Sequence, residues 1–280
     1  MKQCKITFII TSILITLSVN EARAFWFKVP SKADVITTMG KPSQYALDPN
    51  EIRLIVWNMY KAKKPSWEED YFYLRENSDI LVLQEAILND KMTPVFKNDE
   101  DFRYDMATSF IYKNKNVRTG VITGSLARPK KVYAKKSKNR EWVGLTPKAM
   151  LFTQYNISST NKTLLVINIH AVNTVPWRIL AKQLKQAGRK IKKHPGPVIF
   201  AGDFNTWNKN KTKFMKKYLQ SIGMEEVQFP NGDDRLKFKL TNKILDYIWI
   251  KGLEYKDSYV WTELEGADHK AMSVTLRLED

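Results

Sequence analysis

The stretch VIFAGDFNTW at residues 198–207 sets an apolar run, 198–201, directly against Gly202, Asp203 and Asn205. A short run that is apolar throughout reads as a strand covered on both faces. The Gly-Asp-Phe-Asn step after it reads as a turn that delivers two polar side chains at the strand's end. The same order recurs outward along the chain. Asn58 follows a strand at 52–57, Gln84 and Glu85 follow one at 80–83, and Asn168 and His170 close one at 164–169. Downstream, Asp246 lies within 244–250, and Asp268 and His269 precede a last strand at 274–278. Strands at 120–123 and 150–155 complete the set. Polar groups gathered at one end of packed sheets build a site from many segments, each held by a rigid element.

The clearest helix follows Pro176. Trp177, Leu180, Leu184, Ala187 and Ile191 repeat at 3-4-3-4 spacing and lay one apolar stripe along it, and HPGP at 194–197 ends it. A second helix is read over 211–221, closed by Gly223. Residues 25–50 are a lead-in with Pro30, Gly40, Pro42 and Pro49 and no clear period. From 51 to 280 there is no internal repeat and no linker, so strands and helices belong to one layered α/β domain.

Residues 1–24 read as a signal peptide for export to the periplasm or beyond. Lys2 and Lys5 start it, an apolar stretch runs from 6 to 19, and Ala22-Arg23-Ala24 is a small-x-small cleavage pattern. Cleavage after Ala24 would leave 43 basic against 28 acidic residues, a net +15, and no cysteine, since Cys4 is the one cysteine of the 280 residues. That excludes cysteine-ligated zinc and thiol nucleophiles. With 43% hydrophobic residues over this length, one large core needs no disulfide staple.

The quoted series resembles the endonuclease/exonuclease/phosphatase superfamily of metal-dependent phosphoesterases. The matching stretches are IVWNMY at 55–60, ILVLQEA at 80–86, RTGVIT at 118–123, LVINIHAV at 165–172, VIFAGDFNTW, ILDYIW at 244–249 and GADHKAM at 266–272. They follow in the family's order from about residue 52 to the end of the chain. The resemblance implies a four-layer α/β/β/α sandwich, two packed mixed sheets flanked by helices. It also implies roles: Glu85 as main metal ligand with Asn58 in support, and Asp268 as a further metal or water ligand. Asp203 would orient or deprotonate the attacking water, and Asn205 would hold the scissile phosphate. His269 would be the general base, oriented by Asp246, with His170 stabilising or protonating from the other side and Arg118 contacting the substrate phosphate. Ala267 stands where many relatives carry serine, and the site tyrosine of abasic-site endonucleases has no counterpart that can be placed.

Physical chemistry gives each residue a second reading. Glu85 could be a carboxylate paired with Lys or Arg at a sheet edge, since burying it alone is costly. As a ligand it is an oxygen donor, and oxygen donors without thiols favour Mg²⁺, or Mn²⁺ in its place. Asp203 and Asn205 are also ordinary turn formers. A strand-end histidine can be a satisfied structural one, but His170 and His269 both fall in matching motifs, and imidazole can serve as base or acid near neutrality. An aspartate accepting the imidazole N–H fixes its tautomer and raises its basicity. His194, at the end of a basic helix, reads as structural.

The positive surplus is clustered. Eight basic residues and one acid, Glu141, lie between Arg128 and Lys148; seven and no acid lie between Arg178 and Lys193; five more lie between Lys209 and Lys217. A single cluster is usually solvated surface, whereas three build a field that draws in a polyanion. The expectation is a monomeric, exported, non-specific DNase that contacts backbone, with RNA also open to it. The alternative is a phosphoesterase on phospholipid or phosphoinositide headgroups at an anionic membrane. A third reading, a dead binding module on the same fold, conflicts with the intact set of candidate residues.

Overall fold

The computed structural model describes residues 27–137, 140–141, 146–230, 235, 237–238 and 240–279. The segment read as a signal peptide lies outside them. The chain begins with β1 (Phe27–Lys28), β2 (Ile36–Gly40) and β3 (Ala46–Leu47). Then come β4 (Ile52–Asn58), helix α1 (Trp67–Glu76), β5 (Ile80–Leu88), helix α2 (Met92–Lys97), β6 (Arg103–Tyr112), β7 (Val117–Ser125) and β8 (Pro129–Lys136). The second half runs β9 (Ala149–Ile157), β10 (Thr163–His170), α3 (Trp177–Ile191), β11 (Val198–Asp203), α4 (Lys209–Gln220) and β12 (Glu225–Glu226). It closes with β13 (Lys237–Phe238), β14 (Lys243–Ile244), β15 (Asp246–Lys251), β16 (Leu253–Trp261) and β17 (Ala271–Leu278).

One sheet has the order β1-β6-β7-β5-β4-β17-β16, with β2 also on β6; the other is β12-β15-β11-β10-β9-β3, with β8 on β9. Both are mixed: β4–β5 and β10–β11 are parallel pairs among antiparallel ones. Alternation along each strand explains why the strands are apolar throughout. Leu54, Val56, Ile80 and Val82 of one sheet meet Val166, Ile199, Ala201 and Ile248 of the other in the inter-sheet core. Their neighbours Ile55, Trp57, Leu81 and Leu83 face α1 and α2. Leu165, Ile167, Phe200 and Trp249 likewise face α3 and α4. The result is the expected four-layer sandwich.

Helix α3 buries Leu180, Leu184, Ala187 and Ile191 as its spacing predicts, while Trp177 stays half-buried. Strand β8 and helices α1 and α2 are not among the elements read from the sequence, and three further features escaped that reading for local reasons. The lead-in is woven into both sheets, β1 and β2 on β6 and β3 on β9, by strands too short to show a period. Strand β6 buries Asp105, Thr108 and Ser109, which break its apolar pattern; Asp105 is satisfied by Arg103 at 3.0 Å and Thr38 at 2.6 Å. Strand β16 exposes much of its length, so it carries little apolar signal.

The sheets are also tied by a polar bridge. Asn168 of β10, fully buried, donates from Nδ2 to the carbonyls of Leu83 (3.1 Å) and Ile122 (2.8 Å) in the opposite sheet. Its Oδ1 accepts from Gln84 Nε2 at 2.9 Å.

Candidate active site

Topology brings the polar strand ends to one place. β10, β11 and β15 are adjacent, and their register sets His170 beside Asp203 and Asp203 beside Asp246. Because β15 is antiparallel to β11, Asp246 opens its strand where Asp203 closes its own. Gly202 permits the parallel approach: at φ 131°, a Cβ there would stand 2.1 Å from the Ile169 carbonyl oxygen. In the other sheet Asn58 ends β4, and the loop before β17 supplies His269, whose carbonyl accepts from Trp57 Nε1 at 3.1 Å. That loop is tied to α1, Gly266 N–H donating to Asp70 at 2.6 Å. The register of β5 against β7 shifts between Leu83 and Ala86, and Glu85 sits in that irregularity with φ 50°. Bulges of this kind re-aim a side chain beside functional sites.

His269 Nδ1 stands 2.7 Å from Asp246 Oδ2, and His170 Nε2 stands 3.5 Å from Asp203 Oδ2. Asn58 Nδ2 donates to the same Asp203 oxygen at 3.3 Å. Asn205, at φ 50°, donates from its backbone to Asp203 Oδ1 (2.8 Å) and from Nδ2 to Ala171 O (3.0 Å) and Asp203 Oδ2 (3.3 Å). The Asp203–Asn205 pair is thus both a turn and a corner of the site. Glu85, His170, Asp203, Asn205 and His269 line a cleft of about 460 Å³, with Asp246 and Asn58 held behind them through His269 and Asp203.

The charges of the site are interdependent. Burial, reinforced by Asp246, pushes the Asp203 carboxyl up to about 7. Burial opposes a charge on His269, yet Asp246, Asp203 and Asp268 outweigh it and push that imidazole up to about 10. His170 is held well below the usual histidine range by burial and then by the charges of Lys148, His269 and Lys61. In the protein alone His269 holds its proton and His170 is neutral, an asymmetry suited to division of labour between acid and base.

Not every expected residue arrives. Arg118 is engaged with Asp34 of the lead-in, at 2.7 Å to Oδ1 and 2.9 Å to the backbone carbonyl, and it does not line the cleft. The ammoniums in the cleft are Lys61 and Lys148 instead. Glu141 is there too, accepting from Asn173 N–H at 2.9 Å and standing 3.6 Å from Lys148. Beneath the Asp203–Asn205 turn lies Lys211 of α4, fully buried, donating to Asn205 O at 3.2 Å with its ammonium 4.6 Å from the ring of half-buried Trp207. Burial pushes this lysine down to about 8. Lys148 and Lys211 were counted with the surface clusters; a basic residue inside a basic run carries no sign of which way it points. His194 pairs with the Thr163 carbonyl at 2.7 Å, a structural role.

The donor set suits a hard divalent cation. Asp203, Asp246 and His269 present ligand atoms within 4.8 Å of one another. Asp246 Oδ1 is buried with no hydrogen-bond partner. Burial raises the Asp268 carboxyl; the charge of His269 draws it down, and the Glu85 and Asp246 carboxylates push it back up, so negative groups crowd one another around that imidazole. The tightest grouping therefore falls on Asp203, Asp246 and His269, beside the expected Glu85, Asn58 and Asp268.

The sequence model of the Endonuclease/Exonuclease/phosphatase family matches residues 55–269. The chain belongs to that family. Its members are hydrolases acting on phosphoesters and are typically metal-dependent, in keeping with the carboxylate-histidine cluster. A UPF0294 protein from Vibrio campbellii is 33% identical, aligned over 91% of this chain and 92% of its own. Another from Photorhabdus laumondii is 30% identical over 80% and 83%. Among solved structures, the endonuclease/exonuclease/phosphatase from Bacteroides vulgatus superposes with a TM-score of 0.64 at 14% identity, covering 82% of this chain and all of that one. The human Nocturnin catalytic domain with bound sulfate gives 0.58 at 17% identity, covering 87% and 97%. Likeness at that identity speaks for the shared fold.

Proposed function

We propose that this protein is an exported, Mg²⁺-dependent phosphodiesterase of nucleic acids, acting on DNA without sequence preference. The observation that carries the reading is the cleft itself, where His269 (backed by Asp246), His170, Asp203, Glu85 and two ammoniums face one space. Asp203 orients the attacking water and takes part in removing its proton, a task for which a carboxyl at about 7 is suited. His269, held by Asp246, moves a proton on its own side of the cleft, and neutral His170 stabilises the phosphoryl oxygen from the other. Glu85, Asn58 and Asp268 would hold the cation, which when bound polarises a phosphoryl oxygen and offsets the negative field around His269.

A polyanionic substrate is favoured by the surface next to the cleft. Lys182, Lys185 and Arg189 of α3 border a groove of about 330 Å³ that reaches Val172, next in sequence to Asn173 of the cleft. Neutralising these three should reduce the slope of log affinity against log salt by about 2–3, near one unit per lost phosphate contact. An unchanged slope would remove this helix from the interface.

The activity is tested with residues 25–280 on plasmid and linear DNA, with Mg²⁺ and with EDTA. Degradation with Mg²⁺ that EDTA abolishes is the expected result. Folded protein that leaves DNA intact, yet hydrolyses phospholipid headgroups on anionic vesicles, would establish the alternative reading. One feature speaks for that alternative, the exposed Tyr73 and Tyr259 packed edge-on against Trp261.

A further inference from the structure

Directly after Asn58 the backbone takes a form that L-residues avoid. Tyr60, Lys61 and Ala62 have φ of 48°, 55° and 53°, three left-handed residues in succession with no glycine among them. The turn is closed by Ala62 N–H to Met59 O at 3.0 Å and Lys63 N–H to Tyr60 O at 3.3 Å. Left-handed backbone presses Cβ toward a carbonyl oxygen, so it occurs as single residues rather than runs. Such strain persists where the surroundings enforce it, and it gathers at ligand clamps. Here Asn58 Oδ1 accepts Tyr60 N–H at 3.2 Å, and Met59, fully buried, donates its N–H to Gln84 O at 3.0 Å.

What the turn delivers is Lys61. Its half-buried side chain lines the cleft, and Nζ donates to Tyr112 Oη at 3.3 Å while lying 5.9 Å from that ring's centre. Lys148, the other ammonium of the cleft, has Glu141 beside it. Lys61 has no carboxylate partner among the described residues. A half-buried ammonium whose polar partner is a neutral phenol is under-compensated and favours an anion. Tyr112 accepts from Lys61, so its own O–H proton remains to be donated, and no acceptor for it exists among the described residues. The two groups form adjacent donors on the first sheet's side of the cleft. Both Lys61 and Lys148 lie close enough to His170 for their charges to act on its imidazole.

We infer that Lys61 and Tyr112 form a paired grip on one non-bridging oxygen of the substrate's phosphoester, and that the left-handed turn exists to aim Lys61 at it. This rests on the phosphoesterase reading and adds a substrate-binding pair to it. The grip recognises phosphate rather than base or lipid, so it serves any phosphoester the cleft admits.

The test uses the chain from residue 25 with inorganic phosphate, titrated by calorimetry, and with bis(p-nitrophenyl) phosphate as a small diester. Glycine accepts φ of 55° without strain, so Lys61→Gly should melt no lower than wild type. It should nonetheless bind phosphate about tenfold or more weakly and lose about a hundredfold in kcat/KM. Lys61→Arg should recover most of both, and Tyr112→Phe should lose about three- to tenfold. Phosphate affinity of Lys61→Gly within twofold of wild type overturns the inference, as does a fall in melting temperature that Lys61→Arg repairs while phosphate affinity stays unchanged. Wild type that binds phosphate through Lys61 yet hydrolyses no phosphoester would sink the functional reading and leave the grip standing. Hydrolysis undiminished in Lys61→Gly would do the reverse.

Discussion

His269→Ala should slow phosphodiester hydrolysis by at least about a hundredfold, the scale of losing a positioned acid–base group. The imidazole is 2.7 Å from Asp246, buried, and raised to about 10 by three surrounding aspartates, so no water molecule can take over both its position and its proton affinity. The substitution also strands the Asp246 carboxylate, 3% exposed, without its main partner, which should cost about 1–3 kcal/mol of stability. His269→Asn separates the two effects. Its amide can still donate to Asp246, so stability should return while the rate does not. Either variant working near the wild-type rate would remove His269 from the chemistry. Glu85→Ala should fall as far in rate and should also weaken Mg²⁺ binding, because the left-handed bulge at Glu85 aims that carboxylate into the cleft.

Asn168→Leu should destabilise the fold by about 3–5 kcal/mol, measured by denaturant or thermal unfolding. Leucine is close in volume but offers no polar atom, and Leu83 O, Ile122 O and Gln84 Nε2 would each lose a buried partner. Gln84 Nε2 would keep its bond to Val82 O at 3.1 Å. Those groups sit at the junction of the two sheets, one residue from Glu85 and two from His170, so activity should fall with stability. A loss under about 1 kcal/mol would mean that water replaces the side chain and the bridge is dispensable.

Much of the site was legible because its residues stand at strand ends. In the stretches around Asn58, Glu85, His170 and Asp203 the apolar run stops and a group able to donate, accept or ligate begins, while at His269 such a group stands just before an apolar run starts. The residues missed were those without such punctuation. Lys61 hides behind an unremarkable Tyr60, and its aim depends on three backbone angles that side-chain chemistry does not announce. Arg118 looked available from its strand, but its partner Asp34 lies 84 positions away in a lead-in that had no period of its own. Asn168 looked like one more polar strand end, and it proved to be a tie between sheets.

The sequence by itself determined the apolar strands β4, β5, β7, β9, β10, β11, β15 and β17, the stripe of α3, the layered class and the residue types of the candidate site, because these follow from periodicity and from the cost of burying polar atoms. Tertiary structure alone decided which of those polar groups meet. Asp203 and Asp246 are 43 positions apart, yet antiparallel pairing of β11 with β15 puts them side by side, and the loop before β17 then sets His269 on Asp246. Those distances are set by strand order and register, through hydrogen bonds between backbones that are the same whatever the side chains are. A local pattern can therefore name the participants, while only the closed sandwich fixes how they touch.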